Sequence, residues 1–409
     1  MKSSYSEIKG LLNFKKDKKF TNEHAYITHY LQNDVNGASK SFKSPAIKYL
    51  IERIPELNNK VNQPDFQYLV PFKWDVPFPS PPDKKFRFID LFAGIGGFRI
   101  ALQNLGGKCV FSSEIDNSAK QTYEQNFGEY PFGDLREFTS KNVSDIELNQ
   151  LIPDHEILTA GFPCQPFSLA GVSARNHLGL AHGFDDKSQG NLFFDIARII
   201  SVKKPKVVFL ENVKNFKSHD EGKTFETVKS ILENDLDYDF HFEVINADRW
   251  VPQKRERFFM VCFRKQNKNF IFPKLEKEPR KLKEILESDV LEKYTISNKL
   301  WEGHKRRTKN NLERGTGFTA FEANLEKPSN TIVARYGKDG KECLIPQKDK
   351  NPRKLTPREC ARLQGYPENF ILPSSDAAAY RQFGNSVAVP VIQAITENIL
   401  KSMKLVNKI

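Results

Sequence analysis

Apolar residues from residue 86 onward occur in short runs that are separated by segments with helical spacing. The runs at 86–92 (FRFIDLF), 108–113 (KCVFSS), 157–160 (ILTA) and 207–210 (VVFL) are rich in aromatic and β-branched residues, which predicts buried strands. Residues 98–105 have helical spacing, and further strand-plus-helix units follow. Strands that alternate with helices are typical of a sheet covered by helices, so the pattern predicts an α/β fold.

The carboxyl-terminal third first departs from this pattern and then returns to it. Residues 258–263 predict another strand, whereas residues 265–354 have weak apolar periodicity and many lysines and arginines. We interpret that stretch as an inserted, loop-rich module with a basic face. Thr356 followed by Pro357 predicts the start of a short helix, because an N-cap residue precedes a proline at the first helical position. An apolar stripe over residues 391–403 predicts an amphipathic last helix.

The first 85 residues have a different character. Residues 46–54 predict a short amphipathic helix, and the proline-rich segment 64–82 predicts an extended arm whose aromatic side chains dock on the following domain. A basic run of four lysines at residues 15–19 is interpreted first as a solvated face. An additional contact with nucleic-acid phosphates is the alternative.

Composition narrows the class of protein. A net charge of +12 favours an anionic partner, with nucleic acid first and a membrane surface second. No apolar run approaches the length of a bilayer span, and no apolar signal segment follows Met1. The five cysteines include no CxxC pair, which argues against a disulfide framework and against a zinc site. We therefore expect a cytoplasmic protein without a metal.

The first predicted strand runs into a glycine turn, AGIGG at residues 93–97. A strand, a glycine turn and a helix together let the backbone approach a ligand closely. Glu114 follows about 20 positions later, where an acidic residue commonly binds ribose hydroxyls. The turn is not GxGxxG, so a nucleoside without pyrophosphate fits better than a dinucleotide. Asp134 lies in a third loop, where it either accepts from an adenine amino group or caps a helix.

Two titratable residues occupy the ends of two further strands. Cys164 stands between two prolines after the run 157–160, and Glu211 ends the run 207–210. Strand carboxyl ends form the ligand crevice of an open α/β sheet, so both residues are candidates for chemistry; a packed turn cysteine is the alternative for Cys164. The remaining cysteines are expected to be inert core thiols: Cys109, Cys262, Cys343 and Cys360.

Arg255 and Arg257 lie in the segment 252–257, which precedes the strand at 258–263. Two positions apart on a strand they would share one face, where they could clamp a phosphate or a polar base edge. A surface ion-pair ladder with Glu256 is the alternative.

In this order, the motifs resemble those of the bacterial type II restriction–modification DNA (cytosine-5)-methyltransferases. The resemblance covers about residues 86–263 and 353–400 and is carried by DLFAGIGG (90–97), GFPCQPFS (161–168), ENV (211–213), QKRER (253–257) and GNSV (384–387). It implies a Rossmann-like S-adenosylmethionine-dependent methyltransferase fold with an inserted small target-recognition domain and an N-terminal extension. The expected domains are an extension at 1–85, a catalytic domain at 86–270 plus 381–409, and a target-recognition domain at 271–380.

The resemblance also implies a role for individual residues. Catalysis is expected from Cys164, Glu211, Arg255 and Arg257, with Cys164 adding covalently to C6 of cytosine. S-adenosylmethionine is expected at Phe92, Gly94, Gly96, Gly97, Glu114, Ile115, Asp134, Leu135, Pro163, Asn385 and Ser386. DNA contacts are expected from Ser168, Arg335, Tyr336 and Lys338. Some members carry a tryptophan where this chain has Ile115, so the contact with adenine should here be aliphatic. The long loop 169–189 is the expected lid.

The implied activity is methylation of a flipped cytosine in a short C/G-rich site of double-stranded DNA, for which CCGG is the specific hypothesis. The expected protein is a monomer, associated with the nucleoid, that shares its specificity with a restriction endonuclease without forming a stable complex. Three alternatives remain open at this point. They are an RNA cytosine-5 methyltransferase on the same scaffold, a DNA-binding module without activity, and a nicotinamide-dependent oxidoreductase.

Overall fold

The computed structural model describes residues 3–4, 9–10, 12, 22–33, 38–55, 72–163, 192–265, 269–315, 317 and 319–406. The chain divides into two compact units. The first comprises Met1–Val244, Arg257–Phe270 and Ile399–Ile409, and the second comprises Ile245–Glu256 and Ile271–Asn398. This division is coarser than the three expected domains, whose boundaries stay a prediction.

A six-stranded sheet is the main element of the first unit. Its strands are β1 (Phe86–Leu91), β2 (Gly107–Ser113), β3 (Ile157–Gly161), β4 (Val207–Val213), β5 (Asp239–Asn246) and β6 (Glu256–Phe263). Their order across the sheet is β2-β1-β3-β4-β6-β5. Strands β1 to β4 are parallel to their neighbours, whereas β6 pairs with β4 in the antiparallel sense. The sheet and its helices confirm the α/β fold that the hydrophobic pattern predicts.

The register of the sheet lines up its apolar residues. Ile89 is opposite Leu158, Leu158 is opposite Val208, and Val208 is opposite Cys262. All four side chains are fully buried in one core cluster. Because burial of an aliphatic side chain contributes roughly 1.5–3 kcal/mol, such rows fix the register of the strands and thereby the positions of their ends.

The helices of the first unit precede the sheet or connect its strands. They are α1 (Glu23–Gln32), α2 (Ser39–Arg53), α3 (Gly97–Gln103), α4 (Asn117–Phe127), α5 (Arg136–Thr139), α6 (Asp145–Leu151), α7 (Leu192–Lys203) and α8 (Lys223–Ser230). Helix α4 shows why the boundaries fall where they do. The Asp116 carboxylate caps its first turn by accepting from Ser118 and Ala119, and Gly128 ends it in the left-handed conformation.

The described part of the N-terminal extension belongs to the first unit and packs on its sheet and helices. Phe42 of α2 lies in the same core cluster as the sheet residues. In the arm, the backbone N–H of Phe78 donates to Asn126, and its ring lies 6.0 Å from the ring of Phe127. The expected aromatic docking is thus confirmed for the described part of the arm. The many prolines of segment 64–82 also argue against any regular secondary structure there, and this is wrong at Phe72–Lys73, which pairs with Ser3–Ser4 as a two-residue strand. The lysine run at 15–19 lies outside the described residues.

The second unit is built mainly from helices and two short strand pairs. Its helices are α9 (Asn298–Glu313), α10 (Tyr336–Asp339), α11 (Pro357–Leu363) and α12 (Asp376–Asn385), and α13 (Val389–Val406) continues from it into the first unit. Gln253–Lys254 pairs with Ser329–Asn330, and Ile345–Gln347 pairs with Lys350–Arg353. The predicted start of α11 is confirmed, since Thr356 and Glu359 form a reciprocal capping box. Among the helices described, none is long and apolar enough to cross a bilayer.

Candidate active site

The strand order places a topological switch point between β1 and β3. From β1 the chain moves to β2 on one side and then returns to β3 on the other side. A crevice opens outside the carboxyl ends of strands at such a point. The glycine turn follows β1, and the segment leading to Cys164 follows β3. The sequence predicts both segments to be part of the functional site.

The glycine turn after β1 has an unusual backbone. Phe92 has a φ of 57°, in the left-handed region that a residue with a large side chain rarely adopts, and Gly96 has a φ of 84°. A Cβ at Gly96 would lie 2.2 Å from the ring of Phe127, so this position requires glycine. A Cβ at Gly94 would meet no atom within 4 Å. The turn is therefore packed on one side at Gly96 and open at Gly94. Gly97 begins α3 and is buried.

Glu114 holds this turn in place. Its Oε2 accepts from the backbone N–H of Gly94 at 2.8 Å, and its Oε1 accepts from that of Asp116 at 2.8 Å. Burial raises the pKa of the Glu114 carboxyl, and the backbone hydrogen bonds oppose this shift. Ile115 is 68% exposed, which is unusual for a large apolar residue beside a buried strand. A carboxylate next to an exposed aliphatic surface suits the ribose and one face of a purine.

Asp134 reaches the same edge of the sheet through Phe132. The N–H of Phe132 donates to Ser112, and the N–H of Glu114 donates to Phe132, so the chain beside β2 runs parallel to it. Asp134 then pairs with Arg136 at 2.9 Å, which lowers the pKa of the Asp134 carboxyl. Leu135 is 3% exposed and anchors the loop in the core. The Asp134 carboxylate also accepts from the backbone N–H of Arg136, the first residue of α5, at 3.0 Å. Although Leu135 occupies the N-cap position, Asp134 thus supplies a cap-like bond to this short helix, as the helix-cap alternative predicts.

Cys164, Ser168 and the expected lid at 169–189 lie outside the described residues. The structure does describe the chain that leads to Cys164. Pro163 is exposed and Phe162 is buried. The Asn212 side chain, itself 2% exposed, donates to the Phe162 carbonyl at 3.0 Å. A buried hydrogen bond between β4 and the end of β3 therefore fixes the backbone two residues before Cys164.

Glu211 and Arg257 form an ion pair at the end of β4. Glu211 is opposite Gly161 of β3, and Val213 is opposite Arg257 of β6, so the two charged side chains are diagonal neighbours. Arg257 Nε lies 3.1 Å from Glu211 Oε1, and the two side chains are only 17% and 11% exposed. A Cβ at Gly161 would lie 3.5 Å from Glu211 Oε2, an ordinary van der Waals distance, so Gly161 lies directly beside this carboxylate.

Arg255 has a different environment from Arg257. Strand β6 begins at Glu256, so Arg255 lies just before it and the two arginines do not form the expected pair on one strand face. Arg255 is 2% exposed and belongs to the second unit, where it donates to the backbone carbonyls of Ile332, Gly384 and Ser386. These bonds tie together segments that are far apart in sequence.

The GNSV motif lies at the end of α12 in the second unit. A Cβ at Gly384 would lie 2.3 Å from the carbonyl carbon of Val333, so only glycine permits this approach of two backbones. Asn385 is exposed. The Ser386 hydroxyl lies 2.6 Å from the hydroxyl of Tyr366. Asn385 therefore presents its side chain to solvent, while Ser386 is held by a neighbour.

The candidate DNA-reading residues of the second unit have unequal exposure. Arg335 and Lys338 are exposed, as contacts with phosphate require. Tyr336 is 0% exposed; its hydroxyl donates to the Cys343 carbonyl at 2.6 Å and accepts from the Leu355 N–H at 2.8 Å. The Tyr336 side chain is thus a packing element of this unit, because its ring has no surface to offer and its hydroxyl is occupied.

The remaining cysteines confirm the expectation of inert core thiols. Cys109, Cys262, Cys343 and Cys360 are all buried and unpaired by disulfides. Burial raises the pKa of each thiol, for Cys343 to about 12. At neutral pH they are therefore protonated and poor nucleophiles.

Sequence reasoning missed two residues that support the site. Asn212 belongs to the ENV motif, but no role was predicted for it. Its position as a polar residue after a buried apolar run is a signal that could have indicated a supporting role. Asn22 of the extension binds the loop around Asp134, and no pattern in the sequence indicates this contact.

Comparison with known proteins agrees with the geometry. The family model described as C-5 cytosine-specific DNA methylase matches residues 86–401. The type II methyltransferase M1.ScrFI of Lactococcus lactis subsp. cremoris is 48% identical over 351 residues, which are 84% of this chain and 85% of the relative. A DNA-cytosine methyltransferase of Escherichia coli K12 is 38% identical over an alignment that covers 93% of this chain and 91% of the relative. The crystal structure of the S. pombe Dnmt2 methyltransferase aligns with a TM-score of 0.60 at 19% identity, over 78% of this chain and 100% of that chain, and so supports the fold.

Proposed function

The chain belongs to the C-5 cytosine-specific DNA methylase family, and on that premise we propose that it transfers a methyl group from S-adenosylmethionine to C5 of a cytosine flipped out of double-stranded DNA. The family assignment makes it a DNA (cytosine-5)-methyltransferase of the type II kind. The observation that carries the mechanistic part is the Glu211–Arg257 pair, which lies at a strand end beside the strand that leads to Cys164.

Cys164 supplies the nucleophile. Because C5 of cytosine is a poor nucleophile, the ring must first be activated. The Cys164 thiolate adds to C6 and the C5–C6 π bond opens, so that its electron pair can take the methyl group at C5 while S-adenosylhomocysteine leaves. When the sulfur–carbon bond later breaks, the thiolate leaves and C5 retains its methyl group after losing its proton. The hydrogen bond from Asn212 to the Phe162 carbonyl supports this assignment, because it fixes the backbone two residues before the nucleophile.

Glu211 and Arg257 stabilise the activated ring. A carboxyl group placed at N3 of cytosine can share a proton with the ring as negative charge develops there. Arg257 orients that carboxyl group through its Nε, and its guanidinium is the proposed donor to O2 of the base. The expected catalytic role of Arg255 is not part of this scheme; we propose a structural role, since its guanidinium binds three backbone carbonyls within the second unit.

The residues of the first unit fit the adenosyl part of the cofactor. The open side of Gly94, the half-buried carboxylate of Glu114 and the exposed side chain of Ile115 form a cradle with an acceptor for ribose hydroxyls and an aliphatic surface for adenine. Asp134 would accept from the adenine amino group. When bound, S-adenosylmethionine supplies an electrophilic methyl group. Asn385 and Ser386 are retained as proposed cofactor-binding residues because the GNSV motif belongs to the family resemblance, and no metal is part of the proposal.

The net charge and the family membership both favour DNA as the substrate. The net charge of +12 and the exposed Arg335 and Lys338 favour phosphate contacts, which position the duplex, whereas Ser168 is proposed to contact the flipped nucleotide. Flipping costs a few kcal/mol and makes C6 accessible. We propose that the protein methylates a short C/G-rich site, for which CCGG is the specific candidate. It is proposed to act as a monomer in the cytoplasm, associated with the nucleoid. Methylation of that site would protect DNA from an endonuclease that acts separately.

The test uses a duplex in which the target cytosine carries fluorine at C5. Fluorine blocks the loss of the C5 substituent, so the full-length protein with S-adenosylmethionine should form an adduct that survives denaturing electrophoresis and maps to Cys164. Cys164→Ser should form none, whereas Cys262→Ser, a change at a buried cysteine of the same fold, should form it normally. Failure of the parent chain to form any adduct would refute the covalent mechanism.

Bisulfite sequencing of DNA from cells that express the chain identifies the product and its sequence context in one experiment. Protected cytosines within CCGG are the expected result, and protection in a different context would replace that site. Methylation of transfer RNA without methylation of duplex DNA would contradict the proposed substrate.

A further inference from the structure

Asn22 occupies the N-cap position of α1 but does not cap it. N-cap asparagines usually accept a hydrogen bond from the first turn of their own helix, which contributes about 1 kcal/mol. In α1 the Asn22 side chain makes no such bond. Its Oδ1 accepts from the backbone N–H of Gly133 at 3.0 Å, and its Nδ2 donates to Glu137 Oε2 at 2.6 Å. The side chain is therefore used for a contact with a loop 111 residues away.

Two further side chains of α1 contact the segment that leads into this loop. The Thr28 hydroxyl accepts from the N–H of Tyr130 at 3.0 Å, and the Gln32 amide donates to the carbonyl of Phe127 at 2.7 Å. Asn22, Thr28 and Gln32 thus meet main-chain groups in the reverse order along residues 127–133. Residues 128–131 contain no helix or strand. Because buried main-chain groups need hydrogen-bond partners, α1 supplies bonds that this irregular segment lacks internally.

The two contacts of Asn22 bracket Asp134 and Leu135. Gly133 precedes this pair, and Glu137 follows it within one turn. Asp134 is also held from within the loop, because its carboxylate pairs with Arg136. Asn22 is therefore placed to set the position of the loop backbone relative to Glu114, while Arg136 sets the orientation of the carboxylate.

From this geometry we propose that Asn22 is a positioning residue for the adenine end of the cofactor site and that the N-terminal extension is a functional part of that site. The proposal rests on the proposed function, in which Asp134 accepts a hydrogen bond from the adenine amino group. It assigns to α1 a role in discriminating an amino group from a carbonyl group at that position of the purine.

The test measures binding of two ligands to the full-length chain by calorimetry. The first ligand is S-adenosylhomocysteine, and the second is S-inosylhomocysteine, in which the amino group of the purine is replaced by oxygen. Asn22→Ala should weaken binding of the adenosyl ligand about 5- to 10-fold, the loss expected for one hydrogen bond in a positioning contact. Binding of the inosyl ligand should change less than about twofold, because that ligand lacks the donor for Asp134.

Asn33→Ala is the matched control at the other end of α1. The Asn33 amide donates to the His29 carbonyl within the same helix, so its removal should perturb α1 without touching the loop. It should leave the affinity for the adenosyl ligand unchanged even where it lowers the melting temperature as much as Asn22→Ala does. Glu137→Ala, a change at an exposed residue, removes only one of the two Asn22 contacts and provides a variant that should fold if Asn22→Ala does not. Glu137→Ala should weaken binding of the adenosyl ligand about two- to threefold and leave binding of the inosyl ligand unchanged.

Three results separate the inference from the proposed function. If Asn22→Ala or Glu137→Ala binds the adenosyl ligand as tightly as the parent, the positioning role is refuted while the activity stands. Equal weakening of both ligands also refutes it, since that is the result of general damage to the unit. If the parent chain binds neither ligand, the cofactor assignment itself has failed.

Discussion

Replacement of Asp90 by asparagine should change how the stability of the protein depends on pH. Asp90 is the penultimate residue of β1, three positions before the glycine turn, and is 0% exposed. Its Oδ1 accepts from the Thr159 hydroxyl at 3.2 Å, and no hydrogen bond from the described residues reaches its Oδ2. Burial raises the pKa of this carboxyl from 3.8 to about 8, although the Thr159 bond and Arg99 oppose the shift. Asp90 is therefore mainly protonated in the folded protein at neutral pH.

The sign of the effect follows from proton binding. Between pH 3.8 and about pH 8 the folded state holds a proton on Asp90 that the unfolded state has lost. The free energy of unfolding must then fall as pH rises, by up to about 1.4 kcal/mol per pH unit for one proton. From pH 5.5 to 7.5 the contribution of Asp90 should therefore decline by about 2–3 kcal/mol, and it should become constant above about pH 8.5.

Urea unfolding of the parent and of Asp90→Asn over this pH range provides the measurement. Asparagine has nearly the same shape and does not ionise, so the difference between the two proteins at each pH cancels the titration of other groups. Any constant offset reports the amide in a site shaped for a carboxyl. The difference should favour the parent at low pH and shift toward the variant as pH rises. A difference that stays constant from pH 5.5 to 8.5 would show that Asp90 is ionised throughout, and the reasoning would be refuted.

Further predictions concern the arginines and the support of the nucleophile. Arg257→Lys keeps the charge but loses the planar fork, so kcat should fall about 10- to 100-fold with an unchanged urea midpoint; a normal kcat would contradict the role of the pair with Glu211. Arg255→Lys should instead lower the free energy of unfolding by about 2–4 kcal/mol, because the donors of an ammonium group lie on one nitrogen and cannot replace two separate guanidinium nitrogens, while kcat per folded molecule is retained. The opposite pattern for Arg255 would make it catalytic. Asn212→Ala removes the donor to the Phe162 carbonyl and should lower stability by about 1–3 kcal/mol and kcat about tenfold, whereas unchanged kinetics would show that Cys164 is positioned by other contacts.

The sequence was sufficient to predict the central sheet because its strands are buried on both faces and read as continuous apolar runs. Strand β5 escaped prediction for the opposite reason. It lies at the edge of the sheet, and its residues alternate between buried and partly exposed, with Phe242 and Val244 each 38% exposed. Helix α9 was missed because most of its surface is polar, and His304 and Thr308 are its buried residues. Periodicity detects a core-facing element only where enough apolar side chains mark the buried face.

The sequence predicts which residue types form the site, but it does not predict which of these side chains contact each other. Motif order places Glu211 and Arg257 in the chain, yet their ion pair depends on antiparallel pairing of β6 with β4, which no local pattern specifies. The separation of Arg255 from Arg257 likewise follows from where β6 begins. Tyr336 illustrates the same difficulty, because a tyrosine between basic residues favours a nucleic-acid contact until its burial is known.

The low reactivity of the four buried cysteines makes the proposed covalent adduct at Cys164 straightforward to test. Their thiols are protonated at neutral pH because burial raises the pKa of each one, so none of them competes as a nucleophile while the protein is folded. A covalent adduct formed by the native chain therefore points to Cys164 before any peptide is mapped. An adduct that survived Cys164→Ser would require one of the buried cysteines to become exposed, and it should then grow with urea in parallel with unfolding. An adduct that is lost on unfolding and absent from Cys164→Ser can arise only where the folded protein brings the nucleophile and the flipped base together.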